Sequence, residues 1–539
     1  MPTPPKTYPQ SPESLTSSDL SESPELDFSD VPPPTNQVEF DQLAARLRQQ
    51  GFTHCPVVKH TLADLDTPVS TYLKLADQPY SYLFESVQGG ETWGRYSIIG
   101  LPCQTVHSYL GDDYHCLENG RNVKQQIVKD PLTHVRSIQG EYRVPDLANL
   151  PEMIGGLVGY FGYETIGYIE PRLRFAEKPD TIGAPDIMLM VSLDVIVFDN
   201  LSGRIYLVTL ADLAERDAFS KAQQRLNKNI ANLGASFSAP RVEQQKESVT
   251  EADYDLHFEE SAFKAAVEQC RDYIRAGDIM QVVLSQRLSA PYVGRPIDLY
   301  RALRTINPSP YMYFLNMAQF DIVGSSPEIL VRLLDGKVSV RPIAGTRKRG
   351  ADAEQDLLME QELMGDEKEL AEHLMLIDLG RNDVGRIAKT GSVSLTEKML
   401  VERYSHVMHI VSNVDAQIRP DLDAIDVLKA TFPAGTVSGA PKIRAMEIIN
   451  ELEPIKRGVY SGAVGYLVWN GNMDTAIAIR TAVLKDGVIS VQAGAGIVAD
   501  SMPKAEWKET LNKARAMVKA VELANAGLGL TSAQGKGGQ

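Results

Sequence analysis

Two apolar β runs joined by a turn constrain this chain most. Ile187-Met-Leu-Met-Val-Ser-Leu-Asp-Val-Ile-Val-Phe198 leads into Asp199-Asn-Leu-Ser-Gly203, and then into Arg204-Ile-Tyr-Leu-Val-Thr-Leu210. A short turn between such runs predicts a hairpin, and so an antiparallel sheet. The same character returns in Val338-Ser-Val-Arg-Pro-Ile343 and in Ser461-Gly-Ala-Val-Gly-Tyr-Leu-Val-Trp469. The runs do not alternate with helices in a βαβ rhythm, which disfavours a doubly wound sheet. The expected fold class is α+β, with mainly antiparallel sheets flanked by helices.

The pattern divides the chain. Residues 1–36 are acidic and rich in Pro and Ser, with almost no periodic apolar residues, and are expected to be a disordered tail. A first folded region covers 37–240, with 211–233 helical, and a polar linker occupies 234–252. A second region covers 253–525, and 526–539 reads as a flexible tail. At 539 residues and 43% hydrophobic composition the chain is ample for a large core. A net charge of -16 argues against nucleic acid and anionic membrane surfaces as partners. It also means that an anionic substrate needs local cations or a metal. No apolar run approaches the ~18 residues that span a bilayer, and the N-terminus lacks the marks of a signal or transit peptide. Cys55, Cys103, Cys116 and Cys270 form no CxxC pair, which predicts reduced thiols in a cytoplasmic protein. No Walker loop and no GxGxxG after a strand supports nucleotide binding.

Two acidic pairs stand out. Glu369 and Glu372 are neighbours at i,i+3 on a predicted helix, Asp366 to Leu379. Leu374, Met375, Leu376, Ile377 and Leu379 mark its following turns as buried. Glu506 and Glu509 repeat the spacing where Pro503 starts a helix, with Ser501 or Asp500 as its cap. A solvated face explains the first pair as well as a site does, and acids complementing the helix dipole explain the second. Together, the two hard-oxygen pairs suit Mg²⁺. No Cys/His cluster suggests zinc. Glycine-rich turns at 344–347, 432–441 and 493–496 offer backbone N–H groups to anions, although a tight turn is the commoner role of each. Arg480 lies within the apolar run 476–483, where its planar fork requires an anion. His409 lies between apolar residues, as a core histidine does.

These residues fall in strings that resemble the chorismate-utilising enzymes, and among them component I of anthranilate synthases. The strings are Pro342-Ile-Ala-Gly-Thr-Arg347, Lys368 through Asp383, Phe432 through Lys442, Arg457 through Tyr466, and Gln492-Ala-Gly-Ala-Gly-Ile497. The likeness runs from about 38 to 520. It implies two sheets packed face to face with helices outside. It implies Glu372 and Glu509 as Mg²⁺ ligands, supported by Glu369 and Glu506, the metal holding the ring carboxylate of chorismate. Glu369 is implied as the general acid for the departing C4 hydroxyl, and His409 as the residue of the later pyruvate elimination. Thr436 is placed with the catalytic residues. Gly494, Ala495 and Gly496 are implied to offer N–H groups to the ring carboxylate, and Lys513 a cation. Tyr460 and Arg480 would hold the pyruvyl carboxylate, with Gly345 and Thr346 beside the ring.

Two positions separate the members. Isochorismate and salicylate synthases carry a water-activating Lys where this chain has Gln281. Aminodeoxychorismate synthases usually carry a nucleophilic Lys where it has Ala344. The resemblance then implies attack of ammonia at C2 and loss of pyruvate to give anthranilate. Leu83-Phe-Glu-Ser86 and Asn307-Pro-Ser-Pro-Tyr-Met312 resemble the family's L-tryptophan feedback site, with Phe84 in place of the usual Leu. Glu85, Ser86, Pro310, Tyr311, Met312, Val464 and Tyr466 are its expected residues. No cysteine has an amidotransferase setting, so a glutamine amidotransferase subunit is expected to supply ammonia within a hetero-oligomer. The alternatives are an aminodeoxychorismate synthase with an atypical nucleophile position, and an inactive amino-acid sensor on the same fold.

Overall fold

A computed structural model describes residues 27–87, 94–174, 178–238, 251–404 and 407–528. Its frame is two large sheets, each of twelve strands among the described residues. The first runs, in order of neighbours, through His54–Leu62, Arg204–Asp212, Asp194–Asp199, Tyr96–Gly100 and Ser81–Glu85. It continues through Tyr311–Asn316, Asp321–Ser326, Thr481–Lys485, Val488–Ile497, Gln281–Pro291 and Asp255–Leu256. The second runs from Ile343–Lys348 through Val407–Gln417, Lys337–Val340, Ile329–Leu334, Met473–Ile477 and Ala463–Val468. It then passes to Gly156–Phe161, Ile187–Ser192, Thr105–Leu110, Asp113–Glu118 and Arg121–Ile127. The pairings are antiparallel, as the hairpin pattern predicted.

Strand alternation builds two cores from one sheet. Tyr313 and Leu315 point into the layer between the sheets, beside Leu157, Val158 and Val464. Met312 and Phe314 point the other way, beneath Tyr300, Leu303, Met517 and Val521 of the helices Pro296–Ile306 and Pro503–Asn525. Sequence and structure part at the crossings between sheets. The run 187–198 is two strands, because the chain passes from the second sheet to the first at Leu193. Only the later half forms the predicted hairpin with Arg204–Asp212. The run 338–343 breaks at Arg341 and Pro342 into Lys337–Val340 and Ile343–Lys348, since proline has no N–H for a ladder. The predicted helix 211–233 begins later, at Ala218.

Residues 27–36, expected to belong to a disordered tail, are ordered instead. Phe28 is buried against Phe52, with Arg46 over its ring, so residues 27–36 pack on the body. Residues 1–26 and 529–539 lie outside the described residues. The four cysteines are buried and unpaired. Among the described residues no helix is long and apolar enough to cross a membrane.

The regions before and after residue 250 share both sheets. Ser81–Glu85 pairs with Tyr311–Asn316 in one, and Gly156–Phe161 with Ala463–Val468 in the other.

Candidate active site and a second cavity at the seam

A cavity of about 590 Å³ opens beside the strand Val488–Ile497. Two glycines of that strand let other side chains lie over it. A Cβ on Gly494 would meet the Tyr460 hydroxyl at 2.8 Å, and one on Gly496 would meet Gln281 Nε2 at 2.6 Å. Gly494 and Gly496 line the cavity, as does Tyr460, which burial pushes up to about 12. Ala495 lies between the two glycines, fully buried and outside the lining, and pairs with Leu284 in the sheet. Strand alternation turns its methyl to the other face.

The helices Glu367–Gly385 and Pro503–Asn525 bring Glu369, Glu372, Glu506 and Glu509 to this same cavity. The first helix is capped by Asp366, which accepts from the backbone of Lys368 and Glu369. It is less buried than its apolar turns predicted: Leu376 and Ile377 are buried, but Leu374 is 47% exposed. Pro503 does start the second helix, yet neither Ser501 nor Asp500 caps it. Met502 holds that position, the Ser501 hydroxyl accepts from Val498 N–H, and Asp500 pairs with Lys368. Burial, then the nearby Glu369, raises the Glu372 carboxyl; burial, then Glu509, raises Glu506. Gln281 Nε2 donates to Glu372 Oε1 at 3.4 Å. Lys513 pairs with Glu509 at 2.8 Å and donates to Gly494 O at 3.0 Å. Glu369 pairs with Arg347 at 3.2 Å. These cations do not offset the whole group, and the carboxylates repel one another. Such a group accommodates a hard divalent cation that takes a few carboxylates and leaves room for ligand oxygens. Among the described residues no three His, Cys, Asp or Glu side chains form a closed metal cage.

Ala344, Gly345, Thr346, His409, Thr436 and Arg480 line the same cavity. His409 Nδ1 lies 2.9 Å from Gly345 O and 3.0 Å from Thr346 Oγ1. A carbonyl only accepts, so Nδ1 carries the proton and Nε2 keeps its lone pair. Burial pulls His409 down to about 4, which keeps the ring neutral. Arg480 is not inside a strand, contrary to the sequence pattern. The run 476–483 breaks where the chain crosses from Met473–Ile477 in one sheet to Thr481–Lys485 in the other, and Arg480 sits at the crossing with φ +49. The crossing frees its side chain from the sheet and presents it to the cavity.

Sequence reasoning missed Glu328. It follows the strand Asp321–Ser326, is 7% exposed and lines the cavity. Burial pushes its carboxyl up to about 8; the nearby Thr436 hydroxyl and the Arg480 guanidinium act in the other direction. Beneath Tyr460 lies a further buried pair. Arg457 binds Glu453, donates to Val283 O and Val437 O, and stacks 5.6 Å from the Tyr460 ring.

A second cavity of about 250 Å³ lies at the seam of the two regions. Glu85, Ser86, Pro310, Tyr311, Met312, Val464 and Tyr466 all line it, with Phe84. Phe84 packs edge-on against Tyr466 and Tyr313. Glu85 is held by Arg304 at 3.0 Å and by the Tyr300 hydroxyl. Asp474, pushed up to about 6 by burial, accepts from the Tyr311 hydroxyl at 3.1 Å and faces Arg332.

Comparison with known proteins gives these cavities a context. Residues 90–519 match the family of chorismate binding enzymes. The chain belongs to that family. Within it, the chain is an enzyme of the anthranilate synthase component I type. Anthranilate synthase component 1 of Pseudomonas putida is 57% identical over 490 residues, covering 91% of this chain and 99% of the relative. That of Aquifex aeolicus is 46% identical, covering 89% and 97%. The crystal structure of anthranilate synthase component I from Streptococcus pneumoniae is 39% identical, with a TM-score of 0.70 over 85% of this chain and 99% of that one. The menaquinone-specific isochorismate synthase of Escherichia coli, 18% identical with a TM-score of 0.64, shares the fold.

Proposed function

We propose that this chain converts chorismate and ammonia to anthranilate and pyruvate by way of 2-amino-2-deoxyisochorismate. One observation carries the reading. A single cavity joins the carboxylate group to the anion-binding wall of Arg480, Tyr460 and the glycine strand, and holds Gln281 and Ala344 where two competing chemistries need lysine. Glu372 and Glu509, with Glu369 and Glu506 behind them, would hold Mg²⁺, which would supply positive charge for the ring carboxylate. Gly494, Gly496 and Lys513 orient the same carboxylate, while Tyr460 and Arg480 take the pyruvyl end.

The departing C4 hydroxyl needs a proton. Glu328 is better suited to give it than Glu369, because Glu328 is buried and protonated near neutral pH whereas Glu369 is paired with Arg347. Ammonia, already a nucleophile, adds at C2 without a lysine base. His409 Nε2, with its lone pair exposed to the cavity, takes the C2 proton as pyruvate leaves. Ala344 offers no amine for the covalent route of an aminodeoxychorismate synthase.

The seam cavity is the place for L-tryptophan as a feedback inhibitor, its indole against Phe84 and Tyr466. A glutamine amidotransferase subunit delivers the ammonia, and the assembly works in the cytoplasm. Product analysis tests the whole reading. The purified chain with Mg²⁺ and ammonium at raised pH should turn chorismate into anthranilate, and should fail with glutamine until the partner is added. His409→Ala should consume chorismate yet release the aminated, pyruvate-bearing intermediate. A 4-amino product from the wild-type chain, or no product, overturns the assignment.

A further inference from the structure

The turn that carries Tyr460 is not held by its own region alone. Tyr460 lines the active-site cavity three residues after Arg457, whose guanidinium is anchored to Glu453, Val283 O and Val437 O. Those bonds fix the side chain of Arg457 and leave the main chain of the turn to other groups. Glu164, in the short turn Tyr163–Thr165 after the strand Gly156–Phe161, holds that main chain. Its Oε1 accepts from Arg457 N–H at 3.1 Å, and its Oε2 from Gly458 N–H at 3.0 Å. Gly458 has φ +63, a left-handed conformation that glycine takes freely. Successive N–H groups about such a residue form a concavity for an anion. Beside it, Tyr163 N–H donates to Gly458 O at 2.7 Å. On the carbonyl side, Arg287, 2% exposed, donates to Lys456 O at 2.7 Å and to Arg457 O at 2.8 Å. Arg287 is itself steadied by Thr181 Oγ1 at 2.7 Å. Residues 456–458 are thus strung between a carboxylate and a guanidinium, and Glu164 and Thr181 both come from before the linker.

We infer that Glu164 is a positioning residue for Tyr460. It lies outside the cavity lining and acts by fixing the main chain two residues before Tyr460. The inference rests on Tyr460 holding the pyruvyl carboxylate of chorismate, as proposed above. The Tyr460 hydroxyl has little slack, since a Cβ on Gly494 would meet it at 2.8 Å. A small shift of the turn therefore moves the hydroxyl away from where it meets the substrate. The residue type fits the task. An ionised carboxylate takes two N–H bonds at once and binds each more strongly than a neutral acceptor does. An amide in its place has one acceptor oxygen and turns an NH₂ towards the second N–H. The first region thereby serves the charged cavity without lining it.

Steady-state kinetics with chorismate, Mg²⁺ and ammonium test the inference. Glu164→Ala should raise KM for chorismate ~10-fold or more and lower kcat less than ~3-fold, as loss of a contact kept in ground and transition states does. Glu164→Gln, with the same shape and one remaining acceptor, should fall between Ala and wild type, and it carries the test if Glu164→Ala does not fold. A double-mutant cycle separates positioning from general support. In a Tyr460→Phe background the same change at Glu164 should alter KM less than ~2-fold, because the contact it positions is already gone. An equal rise of KM in both backgrounds would overturn the inference. So would a loss of kcat at unchanged KM, or a lower unfolding temperature with unaltered kinetic constants. If Tyr460→Phe alone leaves KM unchanged, the place given to Tyr460 fails instead, and this inference falls with it.

Discussion

The two cavities differ in what builds them. The larger is charged and comes wholly from residues beyond 280, on helices, on strands of both sheets and at a crossing. The smaller is aromatic and takes Phe84, Glu85 and Ser86 from before the linker and Tyr311, Met312 and Tyr466 from after it. The difference teaches where each kind of work is best placed. Bond-making needs groups held rigidly relative to one another, so a single packed unit supplies them. A regulator needs differential contact with two arrangements of the molecule, so a seam between two units serves it.

The largest expected effect lies in the charged cavity. Glu372→Gln and Glu509→Gln should each lower turnover by ~10³-fold or more, since a hard-cation site that loses a carboxylate loses several kcal/mol of charge stabilisation. Calorimetry should find tryptophan binding intact in both variants. If either loses it, the cavities are not separately built. Next comes Glu328→Gln, expected to cost ~10²–10⁴-fold by removing a proton donor. The sign follows from the raised carboxyl, protonated below about 8 and charged above. At constant free ammonia, the wild-type rate should therefore fall as pH rises through 8, and the Gln variant should lack that limb. If Glu369→Gln removes the limb instead, the proton comes from the other carboxyl.

The seam should answer to smaller changes. Ser86→Phe and Met312→Thr should relieve tryptophan inhibition, losing up to ~100-fold of sensitivity from a coupling of ~1–3 kcal/mol, with uninhibited turnover unaffected. Equal losses of turnover would show that these residues serve the catalytic unit directly. The smallest effect concerns Asp474, whose charge faces Arg332 and Tyr311, with Glu152 and Tyr466 beside it. Its carboxyl is charged above about 6, so tryptophan, bound through its ammonium group, should bind ~3-fold more weakly at pH 5.5 than at pH 7.5. A flat titration would assign the ammonium to Glu85.

Much of this was legible in the sequence because strand period and local spacing are short-range. The hairpin at 194–212 and the glutamate pairs on their helices could be read from neighbours alone. The crossings could not. A run such as 476–483 looks like one strand, because its apolar residues on either side of Arg480 are largely buried whichever sheet they join, and only tertiary position reveals the break that frees Arg480. Glu328 was hidden for a related reason. An acid after Ser325-Ser-Pro327 reads as a turn residue, and its burial comes from helix and strand segments far along the chain. Had the apolar runs on both sides been weighed, a lone acid between Ile322 and Leu334 would have flagged it. Phe28 could have been found similarly, as the single phenylalanine in an otherwise unpatterned stretch.

The seam has a consequence for how the chain is made. Each sheet is closed by a pairing between distant segments, Glu85 with Met312 and Tyr160 with Val464. Such contacts cost loop-closure entropy before they return any burial, which places them late in folding. Until residue 316 has left the ribosome the strand Ser81–Glu85 carries an unpaired edge, and until residue 468 has done so Gly156–Phe161 carries another, one in either sheet. Two open edges on a nascent half are a standing invitation to pair with another chain. The burden of synthesis therefore falls on the interval between the two halves, when the future seam cavity is still a pair of exposed margins.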